Sequence, residues 1–497
     1  MFKTDITNYI RAGYPVMNVN TNELHRISQQ VRGISELEKL NFACWTVTRG
    51  WELNGTKTGE GESDPLACLN SISSIPENTI LVIHNFHYYM DDPMIVQSIL
   101  DLVHFCKATS RYIIFVSAQM DIPIELQKDI TVVDFEYPDR TSLGNILSGM
   151  AEDNGIEFIN SSFDHLCDSA VGMTEFDAEN AFALSLVEKK YFCPEIIQRE
   201  KAQNIKKSGL LEYYQCIENM NSVGGLDVLK MWLAQRKTAF STEAKEFGLP
   251  SPKGILIVGV PGCGKSLTAK AVANSWELPL LKFDMGKLFG SLQGQSEQNM
   301  RTALDLAESM SPSVLWIDEL EKGLSGINSS GQTDGGVTSR VFGTLITWMN
   351  ERTKPVFIVA TANDITKLPP ELLRAGRFDQ IFAVDLPNEH ERLEIFKIHI
   401  TKNKRDVKNF DLPILVEHTH EYSGAEIENC IISGMFKAFS NNSELNTVDI
   451  MGAIKEMTPL SKSMKQKLDK MREWVQIHAR NASTIISDIK SRRKISI

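Results

Sequence analysis

The sequence predicts an α/β protein built on parallel sheets, with two related domains in tandem and the chemistry confined to the second. Three observations carry this. Gly259-Val260-Pro261-Gly262-Cys263-Gly264-Lys265-Ser266 stands between an apolar, β-branched run at 254–258 and a stretch of helical spacing that starts at Leu267. Short, fully apolar runs recur along the chain between helical stretches, as buried parallel strands do. The first half also repeats, in the same order, strand-like segments of the second, the mark of a duplicated unit.

Bulk properties bound the rest. A length of 497 residues corresponds to about three domains. The composition, 42% hydrophobic and 23% charged, is that of an ordinary globular protein. A net charge of −11 argues against non-specific binding of nucleic acid or anionic membrane over the whole surface. No apolar run approaches the roughly 20 residues of a membrane span, so no membrane partner is expected. Met1-Phe2-Lys3-Thr4-Asp5 begins no signal-peptide pattern, and so early an acid argues against a transit peptide. Eight scattered cysteines without a Cys-x-x-Cys point to a reduced interior compartment and against structural zinc.

In the first half, Tyr14-Pro15-Val16-Met17-Asn18-Val19-Asn20 reads as a strand and a helix follows from Glu23. Ala43-Cys44-Trp45-Thr46-Val47-Thr48, Thr79-Ile80-Leu81-Val82-Ile83 and Tyr112-Ile113-Ile114-Phe115-Val116-Ser117-Ala118 read as further strands. Residues 113–121 resemble 356–364, Val132-Val133-Asp134 parallels Ala383-Val384-Asp385, and Ile80-Leu81-Val82-Ile83-His84-Asn85 sits where Val314-Leu315-Trp316-Ile317-Asp318-Glu319 sits later. A degenerate second copy of one domain accounts for the shared order; the competing account is that short apolar strands all look alike. No Gly-Lys-Ser follows the first strand, and His84-Asn85 replaces the acidic pair. The expectation is a scaffold that neither binds nor cleaves nucleotide in the usual pocket. Residues 195–220 are polar and read as a linker helix. Val223-Gly224-Gly225-Leu226-Asp227 then opens the second half, and Gly224 and Gly225 suit a turn close to a planar base.

The spacing Gly-x4-Gly-Lys-Ser is that of a phosphate-binding loop. Its glycines let backbone N–H groups turn inward around an anion, and the helix that follows adds its positive end. Lys265 is expected to reach the β/γ-phosphates of ATP and the Ser266 hydroxyl to ligate Mg²⁺. The run 314–317 places Asp318 at the carboxyl edge of the sheet beside that loop. Asp318 is expected to help hold Mg²⁺, and Glu319 to polarise a water for in-line attack. Asn363, at the end of the next strand, suits a hydrogen bond to the γ-phosphate and to that water. Arg374 and Arg377 are too near Asn363 in sequence to fold back on the same nucleotide. They fit arginine fingers given to a neighbour's phosphate, the plainer alternative being surface pairing with Asp379 and Glu371. Cys263 sits at a helix N-terminus, which lowers a thiol pKa and would make the loop oxidisable; the plainer reading is a small neutral loop residue.

Together these residues resemble an AAA+ ATPase of the AAA clade, from Val223 to about Pro459. The match comprises Gly224-Gly225, the loop through Leu267, Asp318-Glu319, Asn363, both arginines and Ser423-Gly424-Ala425-Glu426-Ile427. The resemblance implies a phosphate-loop parallel sheet with a small α-helical lid in which Gly424 and Ala425 pack near the nucleotide. A closer resemblance, through residues 334–349, 361–365 and 382–387, is to the AAA proteins of plastid and cyanobacterial genomes that form a hypothetical chloroplast reading frame. It spans nearly the whole chain. The implied domains are a degenerate AAA-like domain at 1–195, a linker at 196–222, a large ATPase subdomain at 223–388, a lid at 389–460 and a basic helical tail at 461–497. The cytoplasm is the expected location, or the plastid stroma if the gene is plastid-encoded.

Unfoldases of this clade grip substrate with an aromatic-hydrophobic-Gly loop, and here Leu292-Gln293-Gly294 falls on that triplet, which leaves threading in doubt. Residues 325–332 are rich in Gly and Ser, a second pore loop or a solvated connection. The tail has ten Lys/Arg and three Asp/Glu, a balance of +7. It packs on the lid or a neighbouring subunit, with Met464, Leu468, Met471 and Val475 on one stripe, or it contacts nucleic acid or an acidic partner. The expected function is ATP hydrolysis in a self-assembled ring, a hexamer, that remodels an unidentified protein partner. The alternatives are a nucleotide-gated assembly scaffold and a nucleic-acid-associated ATPase.

Overall fold

The computed structural model describes residues 2–58, 63–118, 122–156, 160–214, 218–240, 242–288, 295–324 and 337–484. It contains two compact units, Met1–Ile197 and Gln198–Ile497.

The first unit holds a seven-stranded sheet in the order β4-β3-β2-β5-β6-β1-β7. Its strands are β1 (Val16–Asn20), β2 (Asn41–Thr46), β3 (Gly50–Leu53), β4 (Thr56–Lys57), β5 (Thr79–His84), β6 (Arg111–Ser117) and β7 (Thr131–Val133). The strands β2, β5, β6, β1 and β7 are parallel, and β3 and β4 are added antiparallel at one edge. Alternation decides the faces. Ile80 and Val82 pack with Ile27, Val31 and Ile34 of the helix Leu24–Glu38. Leu81 and Ile83 pack with Ile95, Ile99 and Val103 of the helix Pro93–Ala108. Because both faces are covered, the strands read as unbroken apolar runs. Three further helices, Arg140–Asn154, Asn160–Ala170 and Glu175–Lys189, bury Leu143, Leu147, Leu166 and Phe182 in a core of their own.

The second unit repeats the plan. Its strands are β8 (Leu211–Tyr214), β9 (Gly254–Gly259), β10 (Leu280–Phe283), β11 (Ser313–Ile317), β12 (Val356–Ala362), β13 (Gln380–Val384) and β14 (Arg480–Asn481). Their order is β14-β13-β9-β12-β11-β10-β8. The five central strands are parallel, and β8 pairs antiparallel with β10. The stretch expected to be a linker helix is therefore a helix, Pro194–Ser208, followed by an edge strand of the sheet. The helix α1 (Lys265–Trp276) packs Ala269, Val272 and Trp276 onto one face. The lid follows, with α2 (Glu389–Lys402) and α3 (Gly424–Ser440) and, between and after them, Leu412–His418 and Thr447–Glu456. Phe396, Leu415, Ile427, Ile431 and Ile450 close its core. The tail helix α4 (Lys465–His478) buries Leu468 and Val475. Val475 joins the core of the sheet-bearing subdomain, with Met471 half-buried against it.

Taken by order in the chain, the first five parallel strands of each unit lie fifth, first, fourth, third, second. The turn after the third is also shared. Asn85, one residue past β5, and Glu319, two residues past β11, adopt left-handed backbone at φ 54° and 50°. The first unit thus repeats the strand order of the second.

Candidate active site

In an open parallel sheet a ligand lies beyond the carboxyl ends of the strands, where the chain order reverses. In the second unit that point is between β9 and β12. Gly259 ends β9 at φ 155°, and a Cβ there would lie 1.9 Å from the Val384 carbonyl oxygen. Only glycine lets the loop leave the strand so close to β13. Gly262 turns at φ 79°, and a Cβ there would meet Ala425 Cβ at 3.0 Å and Ser423 Oγ at 3.1 Å. This close approach lets the Ala425 N–H donate to the Gly262 carbonyl at 3.0 Å. The loop and the first turn of α3 are therefore in direct contact.

Lys265 is buried, and its Nζ donates to the carbonyls of Gly259 at 2.8 Å and Val260 at 2.7 Å. An ammonium has three donors, so one remains for an anion in the loop. Burial pulls its pKa down to about 8. Ser266 Oγ donates to Asp318 Oδ1 at 3.0 Å, and Thr361 Oγ1 donates to the same oxygen at 2.6 Å. The Glu319 N–H donates to Thr361 Oγ1 at 3.0 Å. The Glu319 carboxylate accepts from Asn363 Nδ2 at 3.2 Å on Oε1 and pairs with Lys322 through Oε2. The Asn363 N–H donates to Glu321 Oε1 at 3.0 Å, and Glu321 is 6% exposed.

Lys265, Ser266, Asp318, Glu319, Thr361 and Asn363 share one cleft of 530 Å³ with Gly224, Cys263, Gly264, Leu267, Gly424 and Ala425, while Gly225, Gly259 and Val260 stand behind its lining. Its far end is lined by Val223, Gly224, Ile395, Ile398, His399, Lys402 and Glu428. A Cβ on Gly224 would lie 2.7 Å from Ile395 Cγ1, so glycine is required where the turn meets α2. The Gly225 N–H donates to Glu394 Oε2 at 2.8 Å. His399 Nδ1 lies 3.2 Å from Glu428 Oε1, and burial holds its pKa below the ordinary imidazole range.

The cleft is cationic and N–H-rich at the loop and anionic at Asp318 and Glu319; at the far end Val223, Ile395 and Ile398 give an apolar wall beside the polar group His399, Lys402 and Glu428. That sequence of environments matches a triphosphate, a divalent cation and a planar base. The Ser266 hydroxyl and the Asp318 carboxylate are hard oxygen donors of the kind Mg²⁺ accepts, few enough to leave it room for water and phosphate oxygens.

The comparisons with known proteins agree. Residues 255–386 match the ATPase family associated with various cellular activities, AAA. Residues 2–135 match the N-terminal domain of SpoVK-like AAA ATPases, and 141–208 their second domain. The AAA domain-containing protein ycf46 of Pyropia yezoensis is 36% identical over 490 residues, which cover 97% of this chain and 99% of that protein. Those of Guillardia theta and Trieres chinensis are each 36% identical over 480 residues, 95% of this chain. The chain belongs to the ycf46-type AAA ATPases.

In this AAA ATPase the fold brings together residues far apart in the sequence: Gly224, Lys265, Ser266, Asp318, Glu319, Asn363, Gly424 and Ala425 all face one cleft. Arg374 and Arg377 are not among its lining residues. Arg374 is exposed and Arg377 half-buried, with the Arg377 Nη1 buried and unpartnered. Asp379, a candidate partner for them, instead accepts from the N–H groups of Lys253 at 2.7 Å and Gly254 at 3.0 Å. The low thiol pKa considered for Cys263 is not realised. Burial pushes it up to about 12, outweighing the helix end. Residues 292–294, 325–332 and 334–336 lie outside the described residues. Sequence reasoning missed Thr361 and Glu321, which brace the acidic turn. A threonine inside the otherwise apolar run 356–362 is the signal that could have found the first. No described helix of this AAA ATPase is long and apolar enough to cross a membrane.

Proposed function

We propose that the chain hydrolyses ATP with Mg²⁺ in a ring of identical subunits and uses the cycle to remodel a protein partner. Lys265 and the loop amides hold the phosphates. Ser266 and Asp318 hold the metal ion, which neutralises phosphate charge when bound. Glu319 takes the proton of the attacking water, which Asn363 orients. The observation that carries the ring is the position of Arg374 and Arg377. Both lie off their own cleft, they have no acidic partner among the described residues, and one Arg377 nitrogen is buried and unpaired. Such groups act on a neighbour's phosphate. The exposed Phe436 and Phe439 on α3, at 73% and 83%, supply an apolar face for that neighbour.

The test is the mass of Glu319→Gln by light scattering, with and without ATP and Mg²⁺. This variant is expected to bind ATP, leave it uncleaved and shift from monomer to about six subunits. A monomer that persists with ATP bound would leave both arginines without a phosphate and turn the reading toward a nucleotide-gated scaffold.

A further inference from the structure

The chain beyond α4 returns to the base end of the cleft. There β14 pairs in parallel with β13, Arg480 opposite Phe382 and Asn481 opposite Ala383. Ala482 is fully buried. Its N–H donates to the Ala383 carbonyl at 2.8 Å, and its own carbonyl accepts from the Leu229 N–H at 3.0 Å. Ser483 Oγ donates to Glu391 Oε1, the oxygen that also accepts the Leu226 N–H at 3.2 Å. The Thr484 N–H donates to Asp227 Oδ1 at 2.8 Å, and its hydroxyl to Asp227 Oδ2. The helix before the segment is anchored in turn. Arg472 Nε and Nη2 reach Asp385 Oδ2 and Oδ1 at 2.7 and 3.0 Å, a bidentate pair.

The Ser483 and Thr484 contacts bear on one turn, residues 223–227. Val223, Gly224 and Leu226 line the cleft. Leu226 holds left-handed backbone at φ 58°, which a branched L-residue keeps only where its surroundings fix it. Its two supports are Glu391, through the N–H, and Asp227, the next residue. Ser483 and Thr484 bond to both. The phosphate loop, by contrast, shares no hydrogen bond with residues 480–484 among the described contacts.

We infer that residues 480–484 are a positioning strap for the nucleoside part of the nucleotide. By tying the 223–227 turn to α2 and to the sheet edge they set the affinity for the base and leave the phosphate contacts alone. The inference rests on the nucleotide reading above and names which part of the ligand the tail governs. It also gives the tail a role inside its own subunit.

The experiment uses the full chain and two ligands, ATP and inorganic tripolyphosphate, which has the phosphates without the base, each measured by titration calorimetry. The double variant Ser483→Ala, Thr484→Val is expected to bind ATP about tenfold more weakly, the loss of about two net hydrogen bonds. Its tripolyphosphate affinity and its kcat at saturating ATP should stay within about twofold of wild type. Ser483→Thr with Thr484→Ser keeps both hydroxyls and should restore ATP affinity. Should the double variant melt below the assay temperature, Ser483→Ala alone serves, with a loss of about threefold for ATP and none for tripolyphosphate. Unchanged ATP affinity, or an equal loss for both ligands, would overturn the strap. Lys265→Ala separates the two levels, because it should abolish both ligands. If it binds ATP as the wild type does, the nucleotide reading itself fails and the strap falls with it.

Discussion

Raising the pH from 7 to 9 should weaken ATP binding about tenfold, through Lys265 alone. Its ammonium is buried against two carbonyls, and burial brings its pKa from 10.5 to about 8. At pH 7 nearly all of it is charged; at pH 9 about a tenth is. A triphosphate in the loop favours the charged form, so binding must take up close to one proton at pH 9. An ordinary lysine would stay protonated throughout. The stability of the ligand-free second unit moves the opposite way. Between pH 8 and 10.5 the unfolded chain binds more protons at this residue than the folded one, so stability rises with pH across that window. The full span between the two values corresponds to about 3 kcal/mol. Below pH 8 the contribution is constant, because the lysine is charged in both states. Calorimetry at pH 7, 8 and 9, in buffers of different ionisation heat, reads affinity and proton uptake together. Urea melts without nucleotide, compared with Lys265→Met, isolate the stability term. A flat affinity from pH 7 to 9, or affinity and stability falling together, would refute the argument.

Two substitutions test the rest of the site. Arg377→Ala should stop hydrolysis and leave ATP affinity within a few fold, since the guanidinium is off its own cleft; an equal loss of affinity and rate would mean that it contacts its own nucleotide. Thr361→Val removes the 2.6 Å bond to Asp318 and the acceptor of the Glu319 N–H. A hydrogen bond to a charged group is worth about 1.5–3 kcal/mol, so steady-state kcat should fall by about ten- to a hundredfold, with Thr361→Ser recovering most of it.

Most central strands were legible because burial on both faces removes polar residues from them; β10, interrupted by the half-buried Lys282, was not read. Runs such as Ile80–Ile83 in β5 or Val314–Ile317 in β11 have no other use. The edge strands were not. Both residues of β14 are exposed, and β8 is buried only at Leu211, so neither carries a hydrophobic signature. Their pairing is set by backbone hydrogen bonds, which composition does not record. The loop and the acidic pair were legible for a different reason: their function needs fixed local spacing. The contact between Gly262 and Ala425, and the strap from 480 to 484 onto Asp227, depend on how distant segments meet. The thiol of Cys263 belongs to the same class. Sequence places it at a helix end, which lowers its pKa, and only the packing around it says that desolvation wins.

The first unit separates what the fold needs from what the chemistry needs. It keeps the strand order and the left-handed turn at Asn85. It also keeps a contact between the helix after the first strand and the end of the third. Ser28 Oγ and His84 Nε2 lie 3.0 Å apart, as Ser266 Oγ and Asp318 Oδ1 do in the second unit. Yet His84 is held neutral, its pKa pulled down to about 4 by burial, so this pair offers a metal ion no charge. The glycine loop is replaced as well. Glu23, just before the helix, accepts the N–H of Glu175 at 2.7 Å with one oxygen and the Arg26 guanidinium at 2.5 Å with the other. In the second unit the first turn of α3 bonds to the Gly262 carbonyl; here the first turn of Glu175–Lys189 bonds to a carboxylate of the chain itself. The Glu23 carboxylate thus stands at the start of the helix Glu175–Lys189. Apolar strands covered on both faces hold the sheet in both units, while the cleft of the second is lined by a handful of residues outside that pattern.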